Sequence, residues 1–153
     1  MTKALMLAFV SVMLLAGTAF ISKKKSMNAD TVMVYGIVYV EKCNSEAYRY
    51  YAYEYANGDN YNDKQTKLKE SLERDYPNAK RIRVGSSKKD FGNSAKGMCI
   101  IKWQKTGQNN CKYEFAAAYF GESGSDAYSK AMNEKNKWAG KDAYYTMLEE
   151  ISW

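Results

Sequence analysis

The sequence predicts an α+β fold: a mostly antiparallel sheet in the order ββαβββαβ, with two helices packed on one face and a hydrophobic leader in front. Three observations carry this. β-branched and aromatic runs come in pairs separated by short turn-forming stretches, and apolar residues recur at helical spacing in two further segments. The first 21 residues are also unlike everything that follows. At 153 residues, 46% hydrophobic and 26% charged, the chain has room for one folded domain, and no internal repeat is visible in it.

The leader begins with a short positive start (Met1, Thr2, Lys3), continues as the uncharged run ALMLAFVSVMLL and turns small at AGTAF. That order is the pattern of a signal peptide, so residues 1–19 are read as one, cut after Ala19. The alternative is an uncleaved anchor to about residue 21, because Ala4 to Ile21 is long enough to span a bilayer. Lys23, Lys24 and Lys25 behind it would then hold the domain on the cytoplasmic side. Export is the preferred reading. Residues 20–31 form a flexible basic tether and 32–153 the single domain.

Val32–Val40 (VMVYGIVYV) is apolar on both alternating sets, as expected of a strand covered on two sides. After the turn EKCNSE comes YRYYAYEYA, Tyr48 to Ala56, whose alternation places Tyr48, Tyr50, Ala52 and Glu54 on one face. Arg49, Tyr51, Tyr53 and Tyr55 take the other. A helix follows, with Asn62 and Gln65 in capping-box positions, a stripe of Leu68, Leu72 and Tyr76, and Pro77 as its stop. AKRIRVGS is a strand with Ile82 and Val84 inward and Arg81 and Arg83 outward. GMCIIKWQK and CKYEFAAAYF make a second hairpin turning near Gly107. Ser125 caps a second helix carrying Tyr128, Ala131, Met132 and Trp138, and Gly140 ends it. The closing DAYYTMLEEISW fits either a helix or a strand, and the alternation of Tyr145, Met147, Glu149 and Ile151 favours the strand. Trp103, Phe115, Leu68, Leu72, Met132 and Trp138 are the expected core, each burial worth about 1.5–3 kcal/mol.

Cys43, Cys99 and Cys111 all follow the leader, where export allows two of them to pair. With the turn centred on Gly107, Cys99 faces Phe115 and Cys111 faces Trp103, roughly 13 Å apart at strand rise. A disulfide spans only about 4.4–6.8 Å between Cα atoms. The expected bridge therefore joins Cys43 to Cys99 or to Cys111.

Most catalytic arrangements fail at the inventory. The chain has no histidine, hence no imidazole base and no Ser-His-Asp or Cys-His nucleophile, and its cysteine spacing is not that of a zinc site. No cofactor motif is present. Glu149 and Glu150, the adjacent carboxylates, would face opposite ways in a strand. Two surfaces remain as candidate binding sites. One is the tyrosine face, with Arg49, Tyr51, Tyr53 and Tyr55; the other is the basic strand and loop, with Arg81, Arg83, Lys88 and Lys89. The sequence is thus read as a small exported, non-enzymatic binding or accessory module. Its partner is an envelope protein or a glycan, nucleic acid is disfavoured by export, and the membrane is reached only through an uncleaved leader. The alternatives are a secreted hydrolase or enzyme inhibitor using carboxylate or lysine groups, and a membrane-anchored subunit of a larger assembly.

Overall fold

The apolar character of both faces of Val32–Val40 is explained by what lies on either side of it. A computed structural model describes residues 30–153; the leader, and the tether up to residue 29, lie outside the described residues. β1 (Thr31–Lys42) is the middle strand of a three-stranded sheet in the order β2-β1-β3, with β2 spanning Ser45–Asn57 and β3 spanning Arg81–Ser86. β4 (Gly97–Thr106) is the middle strand of another, in the order β5-β4-β6, with β5 spanning Lys112–Gly121 and β6 spanning Tyr145–Ser152. All four pairings are antiparallel. Helix α1 (Tyr61–Asp75) links β2 to β3, α3 (Gly124–Ala139) links β5 to β6, and the single-turn α2 (Ser87–Asp90) follows β3.

Short helical turns such as α2 aside, the element order and the antiparallel pairing are as the sequence predicts; the layering is not. Instead of one sheet with both helices on one face, two sheets stack face to face and each carries one helix on its outer side. Met33, Tyr35, Ile37 and Tyr39 of β1 meet Met98 and Ile100 of β4 and Ala116 and Phe120 of β5 in the core between the sheets. The opposite face of β1 receives α1, whose Leu68 and Leu72 close over Gly36; a side chain there would collide with Leu72. The opposite face of β4, with Cys99, Ile101 and Trp103, receives Ala127 and Ala131 of α3. The same ββαβ unit therefore occurs twice, a repeat the sequence does not display.

Several local expectations shift for identifiable reasons. Asn60, not Asn62, sits at the α1 N-cap, and its side chain accepts from the Asn57 amide to close the preceding turn. Ser123, not Ser125, caps α3 by accepting from the Asp126 amide. Trp138 is 65% exposed rather than core. The inward stripe of α3 runs Gly124, Ala127, Ala131, Lys135, and the buried Lys135 ammonium donates to the carbonyls of Lys141 and Ala143 where α3 turns into β6.

The second hairpin closes two residues later than expected. Thr106 faces Lys112 across the loop Gly107–Cys111, so Trp103 faces Phe115 and Cys99 faces Tyr119. Cys111 is thereby left at the hairpin tip. The first hairpin turns tightly at Cys43 and Asn44, both with positive φ, as a two-residue turn matched to strand twist requires. Cys43 and Cys111 form a disulfide with Cα atoms 5.5 Å apart, clasping the two tips together across 68 residues of sequence. Cys99 is free and buried; burial, and secondarily the Glu150 charge, push its thiol up to about 12. Replacing Cys43 and Cys111 together by serine is expected to cost about 2–4 kcal/mol in denaturant unfolding, with the native circular dichroism retained.

Candidate functional site

Stacking two sheets whose edges are not closed leaves two long rims, and the sequence-predicted residues are divided between them. On one rim β2 packs against β5 and, at Tyr51, also reaches β6. A bulge between Val38 and Tyr39 pairs Val38 with Tyr50 and Tyr39 with Tyr48, so Arg49 is the extra residue and the alternation of β2 inverts there. Tyr48 thus joins Tyr51 and Tyr53 on the face that packs against the inter-sheet core. Tyr50 faces outward and stacks on Tyr76 at the end of α1, ring centroids 5.3 Å apart. Arg49 is exposed beside this pair, lining a shallow groove with Tyr76 and Pro77.

The tyrosine face is therefore largely an internal surface, and only its rim is open. β6 has its own bulge, which skips Leu148 between Met147 and Glu149. The Tyr51 hydroxyl donates to the Leu148 carbonyl at 3.1 Å and to Glu149 Oε2 at 3.3 Å. Burial first, and the Glu149 carboxylate second, push the Tyr53 phenol up to about 12; the same two causes raise Tyr51 and Tyr55. Tyr53 and Tyr55 meet edge to face, centroids 6.5 Å apart, and Tyr55 is 43% exposed. Glu149 forms no ion pair with a described residue. This rim is a carboxylate bordered by phenols, and such a group attracts cations through charge and ring quadrupole together. Glu150, paired with Cys99, is on the α3 side of β6, so the two glutamates do not converge.

On the other rim β3 lies beside β5. Ile82 and Val84 face α1, while Arg81 and Arg83 stand opposite Tyr39 and Ile37 on the inter-sheet side. Arg81 pairs with Glu46 at 2.9 Å and lies over the Tyr39 ring. Arg83 lines a cleft of about 380 Å³ with Asp90, Phe91, Ala118, Tyr119, Phe120 and Lys130. Lys88 and Lys89 do not join it. Both lie over the Tyr61 ring at the start of α1, and the Lys88 ammonium donates to the Gly58 carbonyl. The basic strand and loop thus separate into Arg81 and Arg83 on one side and Lys88 and Lys89 on another.

Sequence reasoning missed Glu149 as a partner of the tyrosines, and it missed Phe91, Tyr119 and Lys130. The only local signal was an aromatic residue, Phe91, within the polar loop SSKKDFGNSAKG. The rest are brought together by the stacking of elements distant in sequence. Among the described residues no cluster of His, Cys, Asp and Glu has the makings of a metal site, and no helix is long and apolar enough to cross a membrane. No family model matches the chain, and no curated protein or solved structure matches it.

Burial is the largest cause of a raised proton affinity at a set of phenols distributed over the core and both rims. It places Tyr39, Tyr48, Tyr53 and Tyr119 at about 12, raises Tyr51 and Tyr55, and takes Tyr35 higher still. An unfolded chain releases these protons near 10, before the native state does, so stability is intact below pH 10 and falls as pH rises from there through 12. A pH series following circular dichroism and phenolate absorbance is expected to show the last phenolate step, that of the buried rings, coinciding with loss of the native circular dichroism above pH 10. At single-residue level, Tyr51→Phe is expected to lower unfolding free energy by about 1 kcal/mol by removing the donor to Leu148 and Glu149.

Proposed function

We propose that the chain is a small exported, non-enzymatic binding or accessory module of the cell envelope or extracellular space, and that it holds a protein partner at the tyrosine rim. The disulfide between the hairpin tips supports an oxidising compartment, in keeping with the leader. One observation carries the choice of surface: the Glu149 carboxylate, without a cationic partner among the described residues, sits between Tyr51 and the edge-to-face pair Tyr53 and Tyr55. A lysine or arginine side chain of the partner would enter there, its charge on the carboxylate and its flank on the Tyr55 ring. β2 and β6 are both outer strands of their sheets, so unpaired backbone groups border the same rim. Arg49 on its bulge is an outlying contact.

The test is affinity capture from the native envelope with the processed protein, run beside the double variant Tyr55→Ser, Glu149→Gln. The Glu149→Gln change keeps a side-chain oxygen for Tyr51 to donate to, so the fold is expected to survive. The expected result is a specific partner retained by the wild type and lost by about tenfold or more in the variant, with circular dichroism unchanged. A partner captured equally by both proteins would remove the tyrosine rim from consideration.

A further inference from the structure

We propose that the cleft between β3 and β5 is a separate ligand site, for a small molecule that joins a flat ring to one anionic group. Its Asp90 wall is backed by buried parts. Tyr35, 1% exposed, donates its hydroxyl to Asp90 Oδ2 at 3.0 Å, and Gly85 makes room for that bond. A Cβ at Gly85 would lie 2.7 Å from the Tyr35 hydroxyl and 2.5 Å from the Asp90 carboxylate, so no other residue fits without displacing them.

Arg83 stands beside this pair. Neighbouring cations are each held by a carboxylate, Lys80 by Glu41, Arg81 by Glu46 and Lys130 by Asp126. Arg83 forms no ion pair with a described residue. The carboxylate that acts on it is Asp90, short of an ion-pair contact, and the Tyr35 and Tyr39 phenols flank it as uncharged groups. A guanidinium presents five donors in a planar fork suited to a carboxylate, sulfate or phosphate, and two phenols leave most of them free.

The walls supply the ring-binding half. Phe91, Tyr119 and Phe120 border the cleft, and the Lys130 ammonium lies 4.1 Å from the Phe91 ring centroid. The volume of about 380 Å³ falls within the range of about 300–1,000 Å³ typical of small-ligand sites. Asp90 opposes an anion and Lys130 is already paired with Asp126, so the anionic group depends on Arg83, while the Tyr35 hydroxyl donates to Asp90. The ring separates this ligand from free phosphate or sulfate, which Arg83 alone would attract. This site shares no residue with the tyrosine rim.

Benzoate, benzamide and acetate, titrated separately into the processed chain and followed by amide NMR shifts, form the test. The proposal expects benzoate to move the amides of Phe91, Tyr119 and Phe120, and to bind about tenfold more tightly than either benzamide, which lacks the charge, or acetate, which lacks the ring. Arg83→Gln should abolish the preference for benzoate over benzamide, Arg83→Lys should keep part of it, and Tyr55→Ser should leave it intact. Benzamide binding as tightly as benzoate, shifts confined to other residues, or no saturable binding of benzoate would each overturn the proposal.

Discussion

The contact between the inner faces of β1 and β4 is the interaction on which everything else in this molecule depends. Each strand is the middle one of its sheet, so each has one face for its own helix and one for the other sheet. Met33, Tyr35, Ile37, Tyr39, Met98 and Ile100 are all at or near zero exposure in that contact. Burial of each such side chain contributes about 1.5–3 kcal/mol, and neither three-stranded unit alone could cover so large an apolar face. The two ββαβ units are therefore halves of one core, and the Cys43–Cys111 bridge adds a covalent clasp at the hairpin end.

Tyrosine is suited to this arrangement because a sheet-on-sheet contact has an interior and a margin. A ring fills the interior while its hydroxyl finds a partner: Tyr39 donates to the Ala116 carbonyl, Tyr51 to the Leu148 carbonyl and Tyr35 to Asp90. The bulges are what place these hydroxyls. Arg49 is displaced from the ladder so that Tyr48 and Tyr51 both face inward, and Leu148 is displaced so that its carbonyl meets Tyr51. The aromatic excess thus serves first as structure, and only the margins leave rings such as Tyr50 and Tyr55 exposed.

Those margins differ in the charged groups they expose. The β2–β6 side presents Glu149 amid phenols, and the β3–β5 side presents Arg83 and Lys130 amid rings. The net charge of +6 says little about either margin, since Lys3, Lys23, Lys24 and Lys25 all precede the described domain. The two margins differ because the same ββαβ unit occurs twice with different residues at its edges.

Element order, antiparallel pairing and the two-sided burial of Val32–Val40 were legible in the sequence because each depends on local periodicity and turn chemistry. So was the participation of Cys43 in any bridge, which followed from the distance a hairpin imposes between Cys99 and Cys111. The split into two sheets was not legible, because an apolar face reads the same whether a helix or another sheet covers it. Nor were the bulges: skipping one residue inverts which side chains face inward, and nothing in YRYYAYEYA marks Arg49 as the residue to skip. The meeting of Glu149 with Tyr51, and of Arg83 with Phe91 and Tyr119, was decided only by tertiary structure, since stacking brings together residues that no local pattern relates.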